Sequence, residues 1–388
     1  MSFACQLPSP VPSCDSKTIA DPSFGYTGPG LYTGLSSEDK ARVAVMQSFA
    51  NSPDYFLRRF MPRRVLGYGS NGVCIAAIDL QSPSQTPVAI KVIYKAHAGL
   101  TAKEIPAEVA ILEDLSAACP NASIVQYRTH WSDTYHHYLV TELFGSNWLA
   151  LCPNHHLQTG ELEPIIFTTL HNGTTTLHTL PIQPGSADMW AWMYAHRIHL
   201  HRTEHHTLLP LAPVRVLLRE IAHGLAQLHA RGYYHGDVKV ENVLVQSAHA
   251  SRCGASGPFI RLADFGHAGR LGAIQEYGTR AIAVPEFLAD APFGAGDLEG
   301  RESDVFALGM IMFSLLSVDG GLPAVTGMAR SRQVGYNDLL AMDAGRYPID
   351  ELSDLDADAR CLLHGMLKVD PRLRWTIQDV LKSPWLSL

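Results

Sequence analysis

Short strings in this sequence carry side chains suited to handling phosphate. One runs YYHGDVKVENVLV from Tyr233 and sets Asp237, Lys239 and Asn242 in the order DxKxxN. A carboxylate there can orient a hydroxyl and accept its proton, the ammonium can balance charge on a moving phosphoryl group, and the amide oxygen can hold a magnesium ion. Farther on, Asp264, Phe265 and Gly266 form DFG, whose carboxylate adds a second hard oxygen ligand. Upstream, LGYGSNGV spans Leu66 to Val73, with Gly67, Gly69 and Gly72 spaced as GxGxxG. Glycines let backbone amides approach phosphate oxygens with no Cβ in the way. Glycine turns between strands are common, so this string alone is a weak signal. It gains weight from VAIK at Val88 to Lys91, where a lysine on the next strand could reach the α and β phosphates.

An ammonium held among apolar neighbours needs a carboxylate partner. The helical run after Pro106 offers Glu108, followed by Val109, Leu112 and Leu115 on the inward face. Glu104 is the rival, one turn earlier. Glu108 is preferred because Pro106 marks the helix start and leaves Glu104 outside.

These groups must be positioned by local elements. Residues 1 to about 35 are rich in Pro, Ser and Gly and are expected to be disordered. SSEDKARVAVMQSFA from Ser36 reads as a capped helix with an apolar stripe at Val43, Val45, Met46 and Phe49. Val73 to Ile78, Val88 to Ile93 and Tyr138 to Leu143 read as strands. From Val214 the spacing turns helical, with Leu217, Leu218, Ile221, Leu225 and Leu228 on one face and an end near Gly232. The apolar run from Val305 to Val318 reads as a buried helix, too short to span a bilayer. Between the strand-rich and helix-rich parts lies a segment of about 150 to 210 with nine of the nineteen histidines. His196, His199, His201, His205 and His206 lack a nearby cysteine and a clean two-plus-two spacing, so a solvated, partly helical insertion is the preferred reading over zinc.

Composition narrows the class. With 46% hydrophobic residues the chain can bury a substantial core. Thirty basic against 37 acidic side chains, a formal net charge of -7, argue against a general nucleic-acid binder. The seven cysteines are scattered without CxxC spacing, which suits reduced thiols in a cytoplasmic or nuclear setting. The N-terminus does not read as a secretory signal, and the triplets opened by Asn121 and Asn172 are read as chance matches to glycosylation sites.

Taken in order, these strings resemble the eukaryotic-type protein kinase family over about Arg63 to Leu386, the His-rich segment excepted. GTRAIAVPE at Gly278 to Glu286 is similar to the family's GTxxYxAPE, Asp304 in SDVFALG resembles its buried aspartate that braces the catalytic loop, and Arg374 in DPRLRWT stands where the family pairs an arginine with Glu286. The resemblance implies an α+β, two-lobed fold. It consists of a small antiparallel N-lobe sheet with one helix (about 60–143) and a larger helical C-lobe (about 144–386), preceded by a helical extension at 36–59. It implies ATP and magnesium in the cleft. Leu66, Gly67, Tyr68, Gly69, Ser70, Asn71, Gly72, Val73, Ala89, Lys91, Glu108, Thr141, Glu142, Phe144 and Leu244 would surround the nucleotide, with the hinge at Glu142 to Phe144. Asn242 and Asp264 would hold the metal, and Asp237 and Lys239 would carry the transfer. Lys239 and Thr279 favour serine or threonine over tyrosine. Protein substrates and an intracellular location are implied, with no nucleic acid or membrane as partner.

The chain departs from the pattern at Gly236, where the family usually has the arginine of HRD. In many kinases that arginine grips a phosphorylated activation loop. Its absence, and the lack of serine or threonine between Gly266 and Gly278, predict activity that does not depend on such phosphorylation. HGD also occurs in small-molecule phosphotransferases similar to aminoglycoside kinases, against which Lys239 and GTRAIAVPE argue. A pseudokinase would be expected to lack Lys91, Asp237 or Asp264, and all are present.

Overall fold

A computed structural model describes residues 32–95, 105–118, 123–152, 162–171, 173–183, 187–204, 208–247, 258–272, 284–288, 290–293, 297–323, 334–344, 348–349, 352 and 355–387. Five strands, β1 (Phe60–Tyr68), β2 (Gly72–Asp79), β3 (Pro87–Tyr94), β4 (Tyr127–Ser132) and β5 (His136–Glu142), form one antiparallel sheet in the order β1-β2-β3-β5-β4. The strand segments read at Val73 to Ile78 and Val88 to Ile93 lie within β2 and β3. Their β-branched residues alternate, so Val73 and Ile75, then Val88, Ile90 and Val92, are buried together on one face. The opposite face carries Lys91 and is flanked by α2 (Ala107–Ala118), whose Val109, Leu112 and Leu115 join the helical core.

The first of these faces is covered by two elements from distant parts of the chain. Helix α1 (Ser37–Asn51) starts at Ser36, whose hydroxyl accepts from Asp39 N–H at 3.1 Å. It buries Val45 and Phe49 with Ala41 and Ala44, while Val43 and Met46 stay half-buried, so the apolar stripe is narrower than the spacing suggested. The second cover is a hairpin inside the His-rich segment, β6 (Ile165–His171) and β7 (Thr174–Leu180). The partly helical reading of that segment holds for its second half only, and 165–180 is a hairpin because β-branched residues and threonines dominate there. Phe167 on β6 meets Phe49 edge-on at 4.8 Å, and Val65 N–H donates to Pro181 O at 2.9 Å. Removing the Phe49 ring with Phe49→Ala is expected to cost about 3–5 kcal/mol of stability, read from urea unfolding.

The second half of the same segment is helical, and it is no solvated appendage. In α3 (Met189–Thr203), Met189, Trp192 and Met193 are buried in the helical core. That core is completed by α4 (Leu211–Ala230), α5 (Arg301–Leu316) and α7 (Ala357–Met366), with α6 (Tyr336–Ala344) to one side. The face read on α4 from Val214 to Leu228 is buried at every named position. Helix α5 is buried from Ser303 to Leu316, as an apolar-all-round helix must be. Val318, assigned to it from the sequence, lies beyond its end and is exposed. The fold is therefore two-lobed α+β, with a catalytic-loop region (β8, Tyr233–Tyr234; β9, Val243–Gln246) and β10 (Phe259–Leu262) at the junction. No helix of the described residues is long and apolar enough to cross a membrane.

Candidate active site

Antiparallel pairing fixes where Lys91 sits. Lys91 on β3 lies opposite Cys74 on β2 and Leu139 on β5. Helix α2 begins immediately after Pro106, whose carbonyl accepts from Val109 and Ala110, so Glu108 occupies the first turn. From there its carboxylate takes two hydrogen bonds from Lys91 Nζ, at 2.7 and 2.8 Å. Glu104, the rival, lies outside the described residues. Lys91 also donates to Asp264 Oδ1 at 2.7 Å.

This triad is electrostatically self-consistent. Burial disfavours the lysine charge, yet Glu108 and Asp264 hold it above the ordinary lysine range. Burial would likewise raise the Asp264 carboxyl, but the charge and hydrogen bond of Lys91 override it and hold it at about 2. The stability from the Asp264 pairing is thus present above the ordinary carboxyl range and is lost only as pH falls toward 2. Asp264 has φ +58, in the left-handed region that aspartate tolerates better than most residues. Phe265 beside it is fully buried and stacks obliquely on His235 at 4.7 Å.

The glycine string closes into a turn between β1 and β2, with Gly69 N–H donating to Gly72 O at 2.9 Å. Only at Gly72 is a side chain sterically excluded by the fold, since a Cβ there would come within 2.6 Å of Val92 O. Gly67 and Gly69 have open space above them, and Ser70 and Asn71 are exposed at the tip. Two neighbours named from the sequence point elsewhere. Val73 is buried in the cluster on the far face of the sheet, and the residue on the Lys91 side is Cys74, whose thiol is pushed up to about 11 by burial. Strict period-two counting from Lys91's pairing partner would have found it. Tyr68 packs toward the α1 side, its phenol raised by burial and by Glu38.

The junction residues are held by a contact the sequence did not reveal. Arg261 on β10 donates to Glu142 at 3.0 Å and lies over the Phe144 ring at 4.8 Å. Thr141 pairs with Ala89 across β3 and β5, and Leu244 on β9 is half-buried against the core. Arg261 was missed because its partners lie more than a hundred residues away.

The catalytic-loop string is organised from below by one carboxylate. Asp304, fully buried in the first turn of α5, accepts from His235 N–H at 2.8 Å and Gly236 N–H at 3.0 Å, and is bonded to His229 Nε2 at 2.9 Å. Burial lowers the His235 imidazole below the ordinary histidine range. Its Nε2 donates to Ala263 O at 3.2 Å and its Nδ1 accepts from Asp237 N–H at 3.3 Å, which fixes the tautomer. Asp237 is buried, and its Oδ2 receives Lys239 Nζ at 2.7 Å and Asn242 Nδ2 at 2.9 Å. Asn242 donates further to Asp237 O at 2.9 Å. So the three DxKxxN side chains converge on one carboxylate oxygen.

Farther down, Glu286 and Arg374 form a fully buried pair with two hydrogen bonds, 2.7 and 2.9 Å, and Ser303 caps the same carboxylate at 2.7 Å. Arg374→Ala is expected to destabilise the protein by about 3–5 kcal/mol, because it strands a buried charge; thermal unfolding reads the loss. The activation-loop residues Tyr277 and Thr279 lie outside the described residues. Among the described residues no group of three or more His, Cys, Asp or Glu side chains is placed to cage a metal.

A family model described as "Protein kinase domain" matches residues 190–386, and one described as "Phosphotransferase enzyme family" matches residues 48–268. Serine/threonine-protein kinase 33 of Mus musculus is 25% identical over 332 residues, covering 84% of this chain and 54% of that protein. A probable serine/threonine-protein kinase of Saccharomyces cerevisiae, KCC4, is 32% identical over 190 residues, 47% of this chain and 16% of that protein. Calcium/calmodulin-dependent protein kinase type II of Caenorhabditis elegans is 30% identical over 173 residues, 44% of this chain and 22% of that protein. The chain thus spans about half the length of the first of these and less of the others.

Proposed function

This chain belongs to the protein kinase superfamily, and from that premise we propose that it transfers the γ-phosphoryl group of ATP to serine or threonine hydroxyls of protein substrates. The observation that carries this reading is the pairing of two charge centres: Lys91 bonded to Glu108 and Asp264, and Asp237 bonded to Lys239 and Asn242. Lys91, braced by Glu108, anchors the α and β phosphates under the glycine turn. Asp237 orients the acceptor hydroxyl and takes its proton, while Lys239 offsets the charge that moves with the phosphoryl group.

The metal donors fit magnesium. Oδ1 of Asn242 and Oδ2 of Asp264 enter no hydrogen bond among the described residues, and both are hard oxygens. The ion, when bound, neutralises charge on the phosphates.

Serine or threonine is favoured by Lys239 two residues after Asp237 and by Thr279, and two of the three relatives named above carry the name serine/threonine-protein kinase. Free thiols at Cys74, Cys152 and Cys361 fit a reducing, intracellular setting. A second reading, phosphorylation of small molecules, draws on the phosphotransferase family match and on HGD. That match stops at residue 268, whereas the Glu286–Arg374 pair lies in the region matched by the kinase model. A transfer assay with γ-labelled ATP, offering Ser, Thr and Tyr peptides beside aminoglycosides and other small alcohols, tests the choice. Label on Ser or Thr peptides is expected; label confined to small molecules would overturn the proposal.

A further inference from the structure

The glycine turn has little of its own to hold it. A Cβ placed at Gly67 or Gly69 meets nothing within 4 Å, and Ser70 and Asn71 are exposed at the tip. The strand leading into it, β1, is an edge strand whose register against β2 slips twice, leaving Arg63 and Leu66 without a cross-strand partner. Such slips bend a strand and interrupt its ladder, so pairing with β2 alone fixes the turn poorly. A loosely held turn samples many positions, and only those that aim its amides at phosphate bind a nucleotide.

Both flanks of the turn are held from outside the five-stranded sheet. On the entry side, Val65 N–H donates to Pro181 O at 2.9 Å and Gln183 N–H donates to Val65 O at 3.0 Å, so the chain just past β7 extends the sheet beside the second slip. On the other side, Asn71 O accepts from Tyr94 N–H at 3.0 Å, and the Tyr94 ring stacks on Tyr32 with centroids 4.4 Å apart and planes at 24°. Tyr32 is fixed in turn, its hydroxyl hydrogen-bonded to Nε2 of the fully buried His136.

One side chain ties the helix to the hairpin. Arg42 on α1 donates twice to Glu38, at 3.1 and 2.7 Å, and also reaches Pro164 O at 3.2 Å and Glu163 O at 2.8 Å, on the chain entering β6. A planar fork engaged through all three nitrogens fixes orientation as well as distance, which a point charge cannot do. Tyr68, the one side chain between Gly67 and Gly69, packs against the cluster that α1 and the hairpin complete, and its phenol is raised by burial and by Glu38, the acid that Arg42 holds.

We propose that α1 and the β6–β7 hairpin form a clamp on the glycine turn, with Tyr32 and Arg42 as positioning residues that hold it in the conformation able to bind the phosphates of ATP. The inference rests on the protein kinase reading above and adds that two segments distant in sequence, 32–51 and 163–183, set the nucleotide affinity. The contacts of Tyr32 and Arg42 named here include none to Lys91, Glu108, Asp237, Asn242 or Asp264, so removing either side chain frees the turn and leaves the reacting groups in place.

The test compares the full chain with Tyr32→Ala and Arg42→Ala by magnesium-dependent ATP binding, peptide kinase kinetics and hydrogen exchange. Each variant should raise the Kd and KM for ATP about tenfold, because a turn competent only about a tenth of the time loses that factor in apparent affinity. The kcat at saturating ATP should stay within about twofold of the parent, as when a contact shared by ground and transition states is lost. Amides of 66–73 should exchange faster in both variants, with those of β5 unchanged. Should Arg42→Ala not fold, Arg42→Lys is scored in the same way: it keeps a charge beside Glu38 but gives up the fork, and should show the same shift at smaller amplitude. An ATP KM and an exchange rate of 66–73 that stay at parent values, whatever the thermal midpoint does, are what mere packing would give; they overturn this inference and leave the kinase reading standing. A parent protein that binds no magnesium–ATP overturns both.

Discussion

Replacing Asp237 by asparagine should lower kcat by about 10²–10⁴-fold while leaving the thermal midpoint and the KM for ATP close to the parent values. The geometry separates the two effects. Asp237 is nearly isosteric with asparagine, and its main-chain N–H and C=O keep their bonds to His235 and Asn242. The substitution removes the negative charge that Lys239 and Asn242 hold at 2.7 and 2.9 Å, and with it the proposed proton acceptor. Among the described residues no hydrogen bond or ion pair of Lys91, Glu108 or Asp264 involves this carboxylate. Single-turnover transfer to a peptide, compared with nucleotide binding, checks both halves. A variant that keeps more than about a tenth of the parent kcat would remove Asp237 from the role of base.

Much of this site was legible because its residues are local in sequence. DxKxxN puts two donors on one Asp237 carboxylate oxygen through a single turn (Val240–Asn242), and DFG is contiguous. Lys91 and Glu108 needed only a period-two strand and a helix start after Pro106. The face of Val214 to Leu228 and the buried character of α5 followed from apolar spacing alone. What escaped was set by distant contacts. Arg261 reaches Glu142 and Phe144 across the chain. The hairpin of β6 and β7 is recognisable as a cover for the sheet only once α1 and β1 are beside it, since its outer face leaves Ile166, Leu170 and Leu177 exposed and so lacks the usual apolar alternation toward water. Val73 was placed in the cleft by its neighbourhood to the glycines, whereas the pleat turns it to the opposite face and presents Cys74. Strand parity, which a motif does not encode, decided that case.

Restoring the family's arginine with Gly236→Arg should inactivate the enzyme, by about 10²-fold or more in kcat, and lower its thermal midpoint. Gly236 has φ +73, and a Cβ built there comes within 2.3 Å of His267 O and 3.1 Å of the Tyr234 ring. The left-handed conformation costs a residue with a side chain about 1–2 kcal/mol by itself, and the main-chain carbonyl cannot rotate out of the way as a flexible side chain would. Relief must come from moving either 235–237, which carries Asp237, or 266–268, which follows Asp264; a shift of about 1 Å in such a constellation is enough to cost two orders of magnitude. Gly236→Ala should fall comparably, which separates the clash from the charge. The same close approach accounts for how the post-DFG segment is held. β11 (Gly269–Arg270) pairs with Tyr234 and Tyr233 of β8, Leu271 N–H donates to Gly232 O at 2.9 Å, and Arg270 lies over the Tyr233 ring at 5.2 Å. We propose that this backbone pairing does locally what an arginine and a phosphate do in kinases switched by loop phosphorylation. Phosphatase treatment of the purified protein should accordingly leave its peptide kinase rate unchanged, and a large drop would show that this segment needs a phosphate after all.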